Sequence, residues 1–223
     1  DNGSYTLLRG DDPDKDQSYV VHMLDQQQLA RTMFPVGGMH KSKVRELAAS
    51  IDLRTADKPD SQDVCFITST GGRTSFLGDR IPFNRADVVD TSGAKLGEVE
   101  SVEMVTIGQR KGLGLPGGGP KRYVIDVDTK TQIVTVGADS DLLRDGLTVR
   151  RMAWVDGPMS GEVLVQASAH GTPQAATIKV FNEGVDDHVD IVWAEQQRRI
   201  APGQSVVFYD LSDTSVLGGG IAD

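Results

Sequence analysis

The chain has 223 residues, of which 38% are hydrophobic and 25% charged, a balance typical of a globular protein with its own core. Its formal net charge of -9 argues against charge-driven binding of nucleic acid over the whole surface, so any contact with RNA must be local. The single cysteine, Cys65, excludes an internal disulfide and a zinc site built from cysteines. Without a secretion signal or an apolar span of membrane length, the sequence predicts a cytoplasmic protein with no membrane partner.

Residues 1–80 are predicted to be mixed and mostly helical. A first helix can be capped by Asp25 and extends to Phe34. A second helix begins near residues 40–42 and carries its apolar side chains on one face, namely Val44, Leu47, Ala48 and Ile51. The break at Pro59 then places Cys65 on a loop or short strand beside two packed helices, a common position for catalytic residues.

The remaining chain is predicted to be rich in β-strands. Residues 81–137 contain a hairpin turn at Thr91-Ser92-Gly93 and a second hairpin that pairs Tyr123–Val127 with Ile133–Val136. Tight turns are predicted at Pro202-Gly203 and at Gly218-Gly219-Gly220. Six short apolar runs then indicate a small closed barrel: Thr148–Trp154, Val163–Ala167, Ala176–Phe181, Val189–Trp193, Ser205–Tyr209 and Thr214–Leu217.

Cys65 is the candidate for nucleophilic or sulfur chemistry, which requires a thiolate that is partly exposed. The alternative is a small buried hydrophobic residue beside Phe66 and Ile67. A cysteine hydrolase that pairs Cys65 with His22 is a further alternative, since a histidine distant in sequence can be adjacent in space. No pair among His22, His40, His170 and His188 has metal-ligand spacing, so structural roles are favoured for them and no metal site is predicted.

Two polar stretches are candidates for RNA contact. Between Gly108 and Arg122 there are four basic residues and no acidic one, and Arg110 and Lys111 could contact phosphate while the glycines admit an anion. The alternative is a solvated hairpin loop. Likewise, Lys15-Asp16-Gln17-Ser18 could read a nucleotide or be an ordinary polar turn.

The two tryptophans have two possible roles. Trp154 and Trp193 could stack on RNA bases, as aromatic side chains do in RNA-binding barrels. Each lies in an apolar run, however, which favours a place in the core.

Eight segments of the chain stand in an order that carries a family resemblance. They are Leu7–Gly10, Lys15–Tyr19, Leu29–Gly37, Val44–Ala48, Asp60–Ile67, Thr106–Gly114, Pro202–Tyr209 and Leu217–Ile221. Their order resembles the tRNA-specific 2-thiouridylase family, which converts the wobble uridine of certain tRNAs to 2-thiouridine. The resemblance covers nearly the whole chain, and chance does not assemble so many segments in one order.

The resemblance implies an α+β multidomain fold. It consists of the end of an α/β PP-loop domain over residues 1–80, a small β-rich central domain over 81–137 and a C-terminal six-stranded β-barrel over 138–223. It also implies a reaction in which ATP, with Mg²⁺, activates the C2 oxygen of the uridine and a cysteine persulfide then delivers sulfur. A cysteine desulfurase or sulfur-relay protein would supply that sulfur.

The resemblance also implies roles for individual residues. Cys65 falls on the cysteine that carries the persulfide, and a second cysteine would resolve it. Lys15, Asp16 and Gln17 match a stretch that contacts tRNA, and Gln204 matches or neighbours a further contact.

The departures from the family pattern bear on activity. The ATP-binding loop Ser-Gly-Gly-Val-Asp-Ser and the first catalytic cysteine are absent, so the chain corresponds to the C-terminal two-thirds of a family member and is expected to be inactive alone. Ser168-Ala169 replaces a basic-aromatic pair, and Lys121-Arg122 stands where Pro-Trp is common. The alternative function is a non-catalytic RNA-binding module in which Cys65 is structural.

Overall fold

The computed structural model describes residues 3–60, 72–116, 119–181 and 187–223. Its α-helices are α1 (Gln26–Leu29), α2 (Lys41–Ser50) and α3 (Arg73–Gly78), and short 3₁₀ turns lie at Val102–Met104 and Asp139–Leu142. The strands are β1 (Leu7–Leu8), β2 (Ala86–Val89), β3 (Lys95–Val99), β4 (Tyr123–Asp128), β5 (Ile133–Gly137), β6 (Leu143–Trp154), β7 (Gly161–Gln166), β8 (Gln174–Phe181), β9 (His188–Arg198), β10 (Ser205–Tyr209) and β11 (Ser215–Ala222).

The chain forms two compact units. Asp1–Lys58 and Arg144–Asp223 make up one, and Pro59–Leu143 makes up the other. The division into three domains at residues 80 and 137 stays a prediction.

The first unit is built on a closed barrel of six antiparallel strands. The order β11-β10-β7-β8-β9-β6 closes because β6 also pairs with β11, for example Ala153 opposite Gly219. Alternate residues of these strands point inwards, such as Val163 and Val165, because neighbouring side chains of a strand face opposite sides. The prediction of a six-stranded barrel from six apolar runs is confirmed.

Both tryptophans belong to the barrel interior. Trp193 is 8% exposed and lies within the core cluster. Trp154 packs against that cluster, with its ring 5.8 Å from the ring of Phe208. The core interpretation of these residues is confirmed.

One expected turn is instead part of a strand. Gly218-Gly219-Gly220 lies inside β11 and pairs with β10 and β6, while Gly203, with a φ of 86°, does occupy a turn. The prediction of a tight turn at the three glycines is therefore wrong. The small residues are needed because neighbouring strands and side chains approach β11 closely.

The second unit contains a four-stranded sheet in the order β3-β2-β5-β4. β2 and β3 form the expected hairpin, with Gly93 at a φ of 84° in its turn, and β4 pairs with β5 as predicted. β2 and β5 run parallel in the centre of the sheet, so Val88 and Val134 are fully buried.

The two predicted helices differ from expectation, since α1 is shorter and α2 is more exposed. Asp25 forms a capping box with Gln28, but α1 ends at Leu29, where the chain tightens into turns, and Met33 is 84% exposed. No residue of α2 is buried, and Leu47 on its apolar face is 48% exposed. α1 does pack, because Leu29 is 6% exposed and belongs to a core cluster with Val207 and Tyr209, whereas the expectation of a packed α2 is wrong for the residues that the structure describes.

The turn between β10 and β11 is organised by the carboxylate of Asp210. It accepts hydrogen bonds from the backbone nitrogens of Thr214 at 2.7 Å and Ser215 at 2.8 Å, and from the hydroxyls of Ser212 and Thr214. Burial alone would raise the pKa of Asp210, but these hydrogen bonds outweigh it and lower the pKa to about 2.

Asp210→Asn is expected to lower the stability of the barrel unit at neutral pH, and to do so less at acidic pH. Because the pKa of Asp210 is about 2 in the folded chain and about 3.9 in an unfolded one, its contribution is complete above pH ~4 and is lost as the pH falls through about 2. Urea unfolding at pH 5, 3 and 2 would measure this, with Asp156→Asn at an exposed loop as the control. An equal difference between wild type and variant at all three pH values would contradict it.

Candidate functional site

The turn that contains Lys15, Asp16 and Gln17 is held by the carboxylate of Asp16, which is 7% exposed. The backbone nitrogens of Gly10 and Ser18 donate to it at 2.9 and 3.0 Å, and the Ser18 hydroxyl donates at 2.7 Å. The carboxylate is thus occupied within the chain, and it fixes the turn from inside.

Arg9 connects this turn to the barrel. Its guanidinium donates to Asp16 at 2.8 Å, to Asp213 at 2.8 Å and to Gln166 at 2.9 Å. The same group lies 3.6 Å from the ring centre of Tyr209, a cation–π contact. One side chain therefore joins the N-terminal segment to β7, β10 and the turn after β10.

The charges of this cluster stabilise each other. Burial alone would raise the pKa of Asp16, but the hydrogen bonds from Gly10, Ser18 and Arg9 outweigh it and hold the pKa below its usual value. Burial alone would lower the pKa of Arg9, but the bonds to Asp213 and Asp16 raise it. Both groups therefore stay charged at neutral pH.

Lys15 and Gln17 project from the turn that Asp16 fixes, and both are exposed. The backbone nitrogen of Lys15 donates to the Asp12 carbonyl at 3.0 Å, and the Gln17 carbonyl accepts from Val20 at 2.9 Å. The two exposed side chains are thus carried by a backbone that is hydrogen-bonded on both sides.

The next residues lie along β10. The Ser18 hydroxyl is 3.1 Å from the hydroxyl of Tyr209 at one end of β10, and the Tyr19 hydroxyl donates at 2.7 Å to the carbonyl of Ser205 at the other. Gln204 is exposed and directly precedes Ser205. The structure therefore places the Lys15–Gln17 turn and Gln204 beside the same strand.

Arg110 and Lys111 lie in the other unit, on an exposed loop between the 3₁₀ turn and β4. The Gln109 side chain braces that loop, because it accepts from the Thr106 nitrogen at 3.0 Å and donates to the Lys111 carbonyl at 2.9 Å. Gly108 adopts a φ of 82°, which favours glycine. The loop therefore has a defined backbone and presents two cations to solvent.

Cys65 lies outside the described residues, so its pairing with His22 stays a hypothesis. His22 itself is 3% exposed, and its Nδ1 is 2.9 Å from the carbonyl of Tyr19. Its ring also packs over Gly219, which confirms a structural role for this histidine.

Two further features are absent from the part of the chain that the structure describes. It contains no group of three or more His, Cys, Asp or Glu side chains able to hold a metal ion. Over the same residues, no helix combines the length and apolar character that crossing a bilayer requires.

Sequence reasoning missed Arg9, Gln166 and Tyr209 as the support of the candidate site. Arg9 is 157 residues from Gln166 and 204 from Asp213, so no local pattern connects them. The only signal was the presence of Leu7–Gly10 and Pro202–Tyr209 among the family-like segments.

Three family models match successive parts of the chain. They are described as a tRNA methyl transferase HUP domain over residues 1–69, a tRNA methyl transferase PRC-barrel domain over 74–138 and an aminomethyltransferase beta-barrel domain over 144–222. Together they follow one another from near the first residue to near the last.

Curated relatives carry the name tRNA-specific 2-thiouridylase MnmA. The chain is 40% identical to that of Methylococcus capsulatus, with 100% of this chain and 62% of the relative covered. It is 40% identical to that of Nostoc punctiforme, with 99% and 62% covered, and 44% identical to that of Rhodococcus jostii, with 96% and 60% covered. The chain thus spans about 60% of the length of these relatives. Since these matches confirm the resemblance seen in the sequence, the chain belongs to the tRNA-specific 2-thiouridylase family.

Proposed function

We propose that this chain is the tRNA-holding and sulfur-carrying part of an enzyme that replaces the C2 oxygen of the tRNA wobble uridine by sulfur. The observation that carries the proposal is the turn fixed by Asp16, which presents Lys15 and Gln17 to solvent and is bonded to the barrel through Arg9. The chain that contains this turn is 40% identical to a named 2-thiouridylase. A turn that is fixed before binding loses little conformational entropy when it meets RNA.

Each member of the turn has a distinct part in this proposal. The Lys15 ammonium contacts a tRNA phosphate, and the Gln17 amide, which can donate and accept, contacts a base edge or a ribose hydroxyl. Asp16 is a positioning residue, because its carboxylate is already bonded to Gly10, Ser18 and Arg9. Gln204, which precedes the other end of β10, is a further tRNA contact.

Arg110 and Lys111 add a separate contact from the other unit. Their braced loop brings two exposed cations close together in a chain whose net charge is -9. Such a local basic group fits phosphate, and it satisfies the requirement that RNA contact be confined to a part of the surface.

Cys65 is proposed to carry the sulfur. Its thiolate attacks the outer sulfur of a persulfide on a cysteine desulfurase or relay protein, the sulfur–sulfur bond of the donor breaks and the donor thiolate leaves. Cys65 then holds a persulfide. This chemistry requires a reduced thiol, which supports a cytoplasmic location.

ATP and Mg²⁺ have no fitted site among the described residues. The Ser-Gly-Gly-Val-Asp-Ser loop is absent from the sequence, and the described residues offer no metal-binding group. We therefore assign no step of the reaction to a bound nucleotide here, and propose that residues 1–223 do not thiolate tRNA by themselves.

Incubation with a cysteine desulfurase and free cysteine is expected to add one sulfur atom to the wild-type chain and none to Cys65→Ser. Intact-protein mass spectrometry measures the adduct, and peptide mapping locates it. Alkylation by iodoacetamide in a parallel sample establishes that the Cys65 thiol is accessible.

If Cys65 is alkylated in the parallel sample, and so is accessible, but acquires no sulfur from the desulfurase, the proposed carrier role is contradicted. If such a chain still binds tRNA, the alternative applies, and the chain is a non-catalytic RNA-binding module with a structural cysteine.

A further inference from the structure

A cavity of about 270 Å³ opens at one end of the barrel, where β6 begins and where β9 and β11 end. Its polar and aromatic lining comes from elements far apart in sequence. The side chains that matter are Arg144, Thr148, Trp193, Arg198, Arg199 and Asp223.

The walls of the cavity are strands that touch each other. A Cβ atom on Gly146 would collide with the carbonyl oxygen of Ile191, so β6 and β9 meet there with no side chain between them. The backbone nitrogen of Asp223 donates to the Thr148 carbonyl at 3.0 Å, which joins β11 to β6 at the rim. Sites built on such elements are positioned more accurately than sites on loops.

Positive charge is concentrated around the cavity. Three arginines line it against one aspartate, Asp223, whose carboxylate already accepts a hydrogen bond from Arg150 Nε at 2.7 Å. All three arginines also interact with other groups of the chain, so the excess is one of formal charge among the lining residues. This local excess stands out because the chain as a whole carries a net charge of -9. The cavity therefore favours an anionic ligand.

Guanidinium groups indicate which anion fits. Their planar array of donors matches the oxygens of phosphate, and each can donate two hydrogen bonds to one group. The cavity is slightly smaller than typical small-molecule pockets, which span roughly 300–1,000 Å³. It has room for a phosphate and part of a sugar, rather than for an enclosed cofactor.

The position of the cavity connects it to Gln204, one of the proposed tRNA contacts. The turn after β9 runs from Arg199 to Gln204 and is bonded to the end of β11, with Gly203 donating to Ala222 and Ala222 donating to Gln204, both at 2.9 Å. Arg199 and Asp223, which flank these bonds in sequence, line the cavity. The proposed tRNA contact Gln204 thus lies at the same end of the barrel.

We propose that this cavity binds a phosphate of the tRNA backbone, with Arg144, Arg198 and Arg199 as its ligands. The inference rests on the proposed function and extends it to a second tRNA-binding position on the barrel. The tRNA-binding surface thereby includes a basic region at the end of the barrel where β9 and β11 terminate.

Binding of the chain to fluorescently labelled tRNA, measured by anisotropy at several salt concentrations, tests the inference. Arg144→Gln, Arg198→Gln and Arg199→Gln are each expected to weaken binding about three- to tenfold, and the triple variant by about a hundredfold. The slope of log K against log salt should fall by roughly one for each phosphate that the variant no longer neutralises. Arg151→Gln, an equal charge loss at an exposed position of β6 outside the cavity lining, is the control and should bind nearly as wild type.

Circular dichroism establishes that each variant is folded, and Arg198→Lys, which keeps the charge, should recover part of the affinity. Cavity variants that bind tRNA with the affinity and salt slope of Arg151→Gln would overturn the inference. Binding of inorganic phosphate, followed by ³¹P NMR, separates a second case. If the cavity variants lose phosphate binding but keep full tRNA affinity, the cavity holds free phosphate and not tRNA, and the inference is overturned. A wild-type chain that binds no tRNA at low salt would also overturn it. The sulfur-loading experiment on Cys65 decides the proposed carrier role independently.

Discussion

Replacing Arg9 by methionine is expected to lower the free energy of unfolding of the barrel unit by about 3 kcal/mol. Methionine preserves much of the apolar stem beside Tyr209 but removes every hydrogen bond to Asp16, Asp213 and Gln166. The carboxylate of Asp16, 7% exposed, would then remain buried without its cation. Removal of one partner from a buried pair costs more than the pair itself contributes, because the remaining charge stays desolvated.

Tryptophan fluorescence in a urea titration measures this loss in the relevant unit, since both tryptophans of the chain lie in the barrel. Arg150→Met is the matched control, because the Arg150–Asp223 pair is largely exposed and such pairs contribute about 0–1 kcal/mol. Combining Arg9→Met with Asp16→Asn should cost clearly less than the sum of the two single changes. Strict additivity, or a loss no greater than that of Arg150→Met, would show that Arg9 does not organise the cluster.

The same substitution should affect RNA binding through the backbone. Without Arg9, the Asp16 carboxylate keeps only its bonds to Gly10 and Ser18, so the turn that presents Lys15 and Gln17 is attached to the barrel less firmly. Faster amide hydrogen exchange around Ser18 would report this change, independently of global stability.

The barrel was predictable because its signal is local. Alternating apolar residues in runs such as Val163–Ala167 and Ser205–Tyr209 specify half-buried strands, and regular turn residues separate them. The helical part was less predictable, because a local pattern carries no information about distant packing partners. The pattern Val44, Leu47, Ala48, Ile51 shows that a helix has an apolar face, but it does not say whether a partner covers that face, and Ile51 is 60% exposed.

The start of α2 illustrates how a distant residue determines local structure. His40 occupies the N-cap position without a side-chain cap, and the carboxylate of Asp12 instead accepts from the backbone nitrogen of Lys41 at 2.8 Å. The sequence placed the helix start correctly near residues 40–42, yet its cap comes from a loop 29 residues earlier. Contacts of this kind depend on tertiary structure that local propensities do not encode.

The candidate site divides in the same way. Lys15, Asp16 and Gln17 could be named from a short motif, whereas Arg9 could not, because its partners Gln166 and Asp213 are far away in the sequence. The arginines of the barrel-end cavity were missed for a similar reason. Arg144 lies near the start of β6 and Arg198 at the end of β9, and only the pairing of β6 with β9 brings them to one cavity.

The three glycines of β11 lead to the other large effect, since a pattern read as a turn is an interior strand. A Cβ atom on Gly219 would lie 2.5 Å from the ring of His22 and 2.7 Å from the carbonyl oxygen of Val206. The second of these neighbours is the backbone of a paired strand, and His22 is 3% exposed, so neither can move aside easily. Glycine is needed here for space and not for an unusual φ.

Gly219→Ala is therefore expected to lower the free energy of unfolding of the barrel unit by about 3 kcal/mol, at the upper end of the usual cost of overpacking. Gly38→Ala is the matched control in the same unit, because its nearest neighbour would be Asp11 at an ordinary 3.8 Å, and it should change stability by less than about 0.5 kcal/mol. Urea unfolding followed by tryptophan fluorescence compares the two. Adding His22→Ala to Gly219→Ala separates the two collisions. If the double variant loses less stability than the sum of the two single variants, the collision with the His22 ring contributes to the loss caused by Gly219→Ala. The remaining loss then comes from the collision with the backbone of β10. Equal stability of the two alanine variants would mean that β10 and β11 can separate without penalty, which is incompatible with a closed barrel held by these strands.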